Sequence, residues 1–313
     1  MSPYLLASSL SPADVGHRVV LRFALPDGQA SDVLGELEAW TASELSVRRR
    51  DGSVEVIAER ALLAGKVVPA TWARDVASGE LERIASDGWP ALERVALGSW
   101  ELRAAAGWTK RANSVLAVGS PGVALDEALS TIKAWYDERG LPAVVQLPLP
   151  LCANLDAELE RRGWRAESSS LVLAADLRQV HVPVSATVAT IEHAPSAPWL
   201  SAHPHPPPVA ARGVLTGAPA LYSSVTDGSG DIIGIGRGSV VGAWLSINSL
   251  WVSEAHRRKG VAQALIRGLT DEVDDGQVRH VFLQVEAGND PACALYAKLG
   301  FEQHHSYLYR VAA

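Results

Sequence analysis

Between His17 and Ala58, apolar and polar residues alternate in short runs separated by turn residues. His17 to Ala24, Asp32 to Trp40, Ser43 to Arg50 and Val54 to Ala58 carry the period of two expected of half-buried strands. Pro26-Asp27-Gly28 and Asp51-Gly52 interrupt them. Asp-Gly between two β-rich runs favours a tight hairpin, because both central residues of that turn need positive φ. The spacing predicts five strands, a small antiparallel barrel, in residues 1–75.

From Ala77 the pattern becomes helical, with Leu81, Ile84, Ala85, Leu92 and Val95 on recurring faces. Trp100 to Arg103 and Ser114 to Val118 read as strands. A helix over Leu125 to Glu138 is closed by Gly140-Leu141-Pro142. Ala143 to Leu147 reads as a buried strand, and Leu155 to Arg162 as a helix stopped by Gly163. His193 to Pro208 holds six prolines and three histidines. Prolines interrupt regular ligand geometry, so this stretch reads as a Pro-rich loop rather than a metal site.

The later chain repeats the earlier one. Asn113 to Val118 parallels Asn248 to Val252, and Arg162-Gly163-Trp164 parallels Leu299-Gly300-Phe301. The two glycines stand 137 residues apart (163 and 300), close to the offset of 135 between the asparagines (113 and 248). Both copies run strand, helix, strand, helix, strand. The copies are predicted over residues 76–182 and 183–313.

Candidate chemistry concentrates in the second copy. Leu250, Trp251 and Val252 form a strand, Arg257, Arg258 and Lys259 a basic loop, and Gly260 precedes a helix. Val261, Leu265, Leu269 and Val273 mark that helix at four-residue spacing, up to Asp274-Asp275-Gly276. A loop of this kind aims backbone N–H groups and the positive end of the helix dipole at one spot, which suits a pyrophosphate. Basic residues at a helix N-terminus otherwise oppose the dipole, so an anion gives them a reason to be there. The first copy has Gly119-Ser120-Pro121-Gly122-Val123-Ala124 at this place, without basic residues, and Leu159 at the place of Tyr296. It reads as a degenerate copy.

Composition narrows the class. The chain of 313 residues is 48% apolar and 20% charged, ordinary for a globular protein. A net charge of −7 gives no overall footprint for nucleic acid or an anionic membrane. Arg48-Arg49-Arg50 reads as solvated surface on a hairpin, with contact to a phosphate as the alternative. No apolar run reaches the roughly 18 residues of a spanning helix, and the N-terminus lacks the basic start of a signal peptide. Two cysteines, Cys152 and Cys293, are too few for a disulfide framework or a zinc site. The expectation is a reduced, cytoplasmic protein without a bound metal.

Two segments carry a family resemblance. Arg257-x-x-Gly260-x-Ala262 resembles the Q/R-x-x-G-x-G/A signature of the GNAT superfamily of N-acetyltransferases. Asn289-Asp290-Pro291-Ala292-Cys293-Ala294-Leu295-Tyr296-Ala297-Lys298-Leu299-Gly300-Phe301 is similar to that family's N-x-x-A-x-x-L-Y-x-K-L-G-F segment. Asp290 is expected to cap this helix, with Pro291 in its first turn.

The resemblance implies an α/β fold with a mixed central sheet, here two GNAT-like units in tandem behind an SH3-like barrel. Acetyl-CoA is the implied co-substrate. The backbone of Leu250, Trp251 and Val252 would hold the pantetheine arm. Arg257, Arg258, Lys259, Gly260, Val261 and Ala262 would hold the pyrophosphate. Asn289 would contact the pantetheine or the substrate side, and Tyr296 would protonate the departing thiolate; a packing role is its alternative. A ribosomal-alanine-type branch carries a glutamate where this chain has Gln284. That leaves the base to Glu286, a water chain or a first-copy group. Trp108, Arg111 and Asn113 are candidates for lining the acceptor site, against ordinary turn duty. The whole chain resembles an actinobacterial tandem-GNAT subfamily described as histone-acetyltransferase-like. The implied activity is acetyl transfer to a primary amine of a small molecule or a protein. The alternative is a non-catalytic acyl-CoA sensor or scaffold, and in either case the barrel is a candidate docking module for a protein partner.

Overall fold

The computed structural model describes residues 10–15, 17–26, 28–49, 53–68, 76–273 and 276–312. Asp27, Arg50, the Asp51-Gly52 turn and Asp274-Asp275 therefore lie outside the described residues, as do the first nine residues and residues 69–75. The chain forms two compact units, Met1–Asp75 and Val76–Ala313.

In the first unit, β1 (Arg18–Ala24), β2 (Ala30–Trp40), β3 (Glu44–Arg48), β4 (Val54–Ala58) and β5 (Leu62–Val67) form an antiparallel sheet in the order β4-β3-β2-β1-β5. Alternation along the strands puts Val19, Leu21, Phe23, Val33, Leu37, Leu45, Val47 and Ile57 into one core. This is the small SH3-like architecture. Arg48 and Arg49 pair with Glu38 and Glu55 at 2.5 and 2.9 Å, so both are already neutralised at the surface.

The second unit begins with α1 (Ser78–Gly88), which ends before Pro90. Leu92 and Val95 are thus outside the helix, and Glu93–Leu97 forms β6 instead. Proline lacks an N–H and its ring clashes with the preceding turn, which overrides the helical spacing of those two residues. There follow β7 (Trp100–Ala104), β8 (Val115–Leu116), α2 (Leu125–Asp137), β9 (Val144–Leu149), α3 (Ala153–Arg161) and β10 (Arg165–Asp176). The second half adds β11 (Thr190–Glu192), α4 (Ala197–Ala202), α5 (Gly213–Thr216), β12 (Ala220–Thr226), β13 (Ile232–Val241) and β14 (Trp244–Val252). It ends with α6 (Val261–Glu272), β15 (His280–Glu286), α7 (Asp290–Lys298) and β16 (Glu302–Val311).

All strands of this unit join one mixed sheet, ordered β11-β12-β13-β14-β15-β10-β16-β9-β8-β7-β6. The order is nearly palindromic about the β10–β16 pair, and β14–β15 and β8–β9 are its parallel pairs. Ser170 pairs with Tyr307, its own counterpart at the 137-residue offset, and Leu171–Ser306 mirrors Ser169–Leu308. The two copies have exchanged last strands. β10 of the first lies on β15 of the second, and β16 of the second lies on β9 of the first.

One face of the sheet is apolar. Leu245, Ile247, Val281 and Leu283 meet Ile266 and Leu269 of α6 and Tyr296 of α7. Val145 and Leu147 meet Ile132 and Tyr136 of α2 and Leu159 of α3. On β13, Gly234, Gly236 and Gly238 recur at alternate positions. A Cβ at Gly234 would stand 2.6 Å from Val261, and one at Gly238 3.1 Å from Leu269. Their absence lets α6 lie close on the sheet and fixes where its N-terminus points. The opposite face is polar and is covered by α1. Gly88 carbonyl oxygen accepts from Arg237 and Ser239, and Glu82 accepts from Gln146 and bonds His305.

Candidate functional site

β14 and β15 run in parallel register only from Trp244–His280 to Ile247–Leu283. Beyond that point β15 continues on β10 alone, through Val172–Gln284 and Ser170–Glu286. β14 bulges instead: its register on β13 slips between Ile235–Trp251 and Arg237–Asn248, and Ser249 takes φ 52°. The strands part there, leaving the later β14 backbone without a partner on the β15 side. Unpaired N–H and C=O groups of this kind are available to a ligand.

The gap opens into a cavity of about 810 Å³ in the second unit, a size typical of small-molecule and cofactor sites. Leu250, Trp251, Val252, Arg257, Arg258, Gly260, Val261, Ala262, Asn289 and Tyr296 line it. The structure thus brings together the strand, the loop and the second motif segment; Lys259 stands on the same loop but outside the lining. His256 and Gln263, which sequence reasoning passed over, are also on the wall.

Gly260 precedes α6 with φ 82°, a left-handed conformation that disfavours any side chain. Arg258 also has φ 60°. The N–H groups of Arg258, Lys259 and Gly260 find no acceptor among the described residues. They stand beside the free N–H groups of the first helical turn. Exposed Arg257, Arg258 and Lys259 add positive charge. In the first copy the matching loop is held by the β6–β7 turn, with Ser99 N–H donating to the Ser120 carbonyl at 2.7 Å.

Asn289, not Asp290, caps α7, its side chain accepting from Ala292 N–H at 3.3 Å. Asp290 instead contributes charge to the first turn, where it suits the dipole. The Tyr296 ring packs in the core against Phe301, and burial pushes its hydroxyl up to about 12. The hydroxyl donates to no group among the described residues. At the end of the helix, Phe301 N–H bonds the Tyr296 carbonyl, as Trp164 N–H bonds that of Leu159 in the first copy. The first copy shares this helix terminus but has leucine in place of the phenol.

On the polar side of the gap, Gln284 accepts from Arg111 Nη1 at 2.5 Å. Glu286, two residues on, is exposed at the strand end. Trp108 is buried against Trp89 and His203, and its indole N–H donates to the His205 carbonyl at 3.0 Å. Asn113 is wholly engaged: its oxygen accepts from Ala105 and Gly107 N–H, and its nitrogen donates to the Trp108 and Thr109 carbonyls. Of the three first-copy candidates, Arg111 alone presents a functional group to the gap. Sequence reasoning missed Arg237, fully buried on β13. Its signal was a lone charge in the otherwise uncharged run Ile232 to Val241.

His203 Nε2 lies 3.3 Å from Ser249 Oγ at the bulge, and its Nδ1 accepts from His205 N–H. Burial holds this imidazole below its usual range. The unfolded chain therefore binds a proton that the folded chain resists, so this contribution is present above about pH 6.5 and is lost as pH falls. The melting temperature should drop between about pH 7 and 5, and His203→Gln should make that drop shallower. An unchanged slope would remove His203 as a cause.

Residues 78–310 match the family described as "Probable histone acetyltransferase Rv0428c C-terminal", and residues 13–66 match the "Rv0428c N-terminal Sm-like domain". The chain belongs to this family of GNAT acyltransferases. The Bacillus subtilis "Uncharacterized N-acetyltransferase YobR" is 25% identical over 247 residues, 74% of this chain and 97% of that protein. The Mycobacterium tuberculosis "Probable histone acetyltransferase Rv0428c" is 31% identical over 150 residues, covering 46% of this chain and 49% of the relative. A solved "GCN5-related N-acetyltransferase from Kribbella flavida" superposes with a TM-score of 0.57 over 75% of this GNAT chain and 95% of its own, at 16% identity. That likeness concerns the fold. Among the described residues, no helix is long and apolar enough to cross a membrane.

Proposed function

We propose that this acyltransferase moves an acetyl group from acetyl-CoA to the nitrogen of a primary amine. The observation that carries the reading is the cavity at the β14–β15 parting, lined by Arg257, Arg258, Gly260, Val261 and Ala262 of the loop and by Tyr296. The loop and the α6 N-terminus would receive the pyrophosphate, and the open β14 edge at Leu250, Trp251 and Val252 the amide-bearing pantetheine arm. Acetyl-CoA supplies an activated thioester. Backbone N–H groups of the β14 edge polarise its carbonyl. The amine nitrogen forms the new N–C bond as the C–S bond breaks. Tyr296 hydrogen-bonds the departing sulfur and delivers its proton, and the second proton that the nitrogen sheds on becoming an amide restores the phenol.

The incoming ammonium must first lose a proton. Gln284 has no basic atom for this, and Arg111 already occupies its oxygen. Glu286 lies two positions along the same strand, paired across from Ser170, and we assign it as the acceptor of that proton, directly or through water. Glu286→Gln should lower kcat/KM by about tenfold near pH 7. The deficit should close at high pH, where amines arrive already deprotonated; a deficit constant across pH would assign Glu286 a structural role.

Thiol release from acetyl-CoA, measured against a panel of amines and lysine peptides, tests the reading as a whole. Amine-dependent release supports it. Tight CoA binding with no release on any amine would leave the protein a sensor or scaffold.

A further inference from the structure

A row of polar side chains crosses the covered face of the sheet where β14 and β15 part. Tyr222, Arg237 and Asn248 pair directly across β12, β13 and β14. Asn248 and Gln284 are the first residues beyond the last β14–β15 pair, Ile247–Leu283. Arg111, from the first copy, joins the row through its bond to Gln284.

The row is rich in positive charge and lacks a counter-charge. The guanidinium groups of Arg111 and Arg237 each lie 5.2 Å from the centre of the same ring, Trp89. Neither is ion-paired with a carboxylate among the described residues. The nearby acids are committed elsewhere: Glu82 to His305 and Gln146, and Glu101 to Arg94 and Ser86. Arg237 donates to the Leu215 and Gly88 carbonyls at 3.0 and 2.9 Å and to Asn248 at 3.4 Å, yet its Nη2 has no acceptor although the side chain is 0% exposed. Gln284 Nε2 is likewise buried without an acceptor. Orphaned buried donors are costly, and a second cation beside a buried one adds to that cost.

A carboxylate would accept from the open Gln284 donor and offset the charge of the two guanidinium groups. We propose that the acceptor is an amino carboxylate, whose carboxylate is held by Arg111 and Gln284 Nε2, with Arg237 behind them. A planar carboxylate takes parallel N–H donors from a guanidinium, and an amide N–H beside it completes the set. Such a grip places the amine of the same molecule within a few bonds, on the side where the strands open. The inference rests on the proposed transfer to an amine, and it narrows the acceptor from any primary amine to one bearing an acid group.

The test separates the two. The full-length protein, saturated with CoA, is titrated with the standard α-amino acids and their carboxamides while tryptophan fluorescence is followed. At least one amino acid should bind about tenfold or more tightly than its carboxamide, and with acetyl-CoA the same pair should differ by about a hundredfold in kcat/KM. Arg111→Ala should bring both ratios close to one, and Arg111→Lys should restore part of them, with melting temperatures confirming that each variant folds. Amino acids that bind in an Arg111-dependent way without thiol release would uphold this recognition and sink the transfer reading. The recognition itself is overturned by equal use of carboxamides, by preference for lysine peptides or inorganic phosphate, by no binding of any amino acid, or by ratios that survive Arg111→Ala.

Discussion

Replacing Tyr296 with phenylalanine is expected to lower kcat about a hundredfold or more while leaving acetyl-CoA affinity within about twofold. The ring lies in the α7 core, and phenylalanine keeps that packing, so the change isolates the hydroxyl. Burial raises the hydroxyl to about 12, which keeps its proton in place throughout the working range. In the proposed transfer its first contribution would therefore be a hydrogen bond to the charge growing on sulfur, with net protonation following. The pH profile gives a second check. Tyr296 should impose no alkaline fall in kcat below about pH 11, because a group titrating at 12 is still mostly protonated there. An unchanged rate in the variant would return the residue to a packing role.

Cutting the chain between the copies should have the second large effect, and it depends on how the pieces are made. Residues 180–189 connect the two halves, with Val184 and Val188 largely exposed. A protease site placed there and cleaved after folding should leave a complex that elutes at its intact size and separates only in denaturant. The halves produced separately should each fail to fold. In isolation the first half has β10 without both neighbours, and the second has β15 and β16 with nothing between them. Leu171, Val172 and Leu173 of β10 pack or pair between those strands, and each large aliphatic side chain fully buried contributes about 1.5–3 kcal/mol. Halves that fold singly, or a cleaved protein that parts on dilution, would refute the exchange as a stabilising arrangement.

Much of the site was legible because it is local. The four-residue spacing of Val261, Leu265 and Leu269 defines α6, and Gly260 marks the backbone it needs at its start. The segment from Asn289 to Phe301 carries its own cap and stop. Local signals also erred in local ways: Asn289 took the cap expected of Asp290, and Pro90 outweighed the helical spacing of Leu92 and Val95. Partner choice between strands was illegible, since the apolar run of β10 says that it is buried but not beside what. On the acceptor side Arg111 stood among the candidates, but its partner was illegible for the same reason. Arg111 and Gln284 lie 173 positions apart in sequence and meet only because strands of both copies share one sheet. Trp108 and Asn113 looked polar or aromatic enough for recognition, yet the Asn113 amide holds the 105–113 loop together and the Trp108 indole N–H is taken by the His205 carbonyl.

The exchanged strands bear on how this chain can change over generations. A duplicated unit that loses its chemistry is ordinarily free to be shortened or discarded. Here the first half supplies the strand on which Gln284 and Glu286 are laid, and it receives the last strand of the second half in return. Removing either half would expose strand edges of the other, β15 and β16 on one side and β9 and β10 on the other. Selection on the active half should therefore reach into β10, and substitutions at Val172, set between Gln284 and His305, should covary with both.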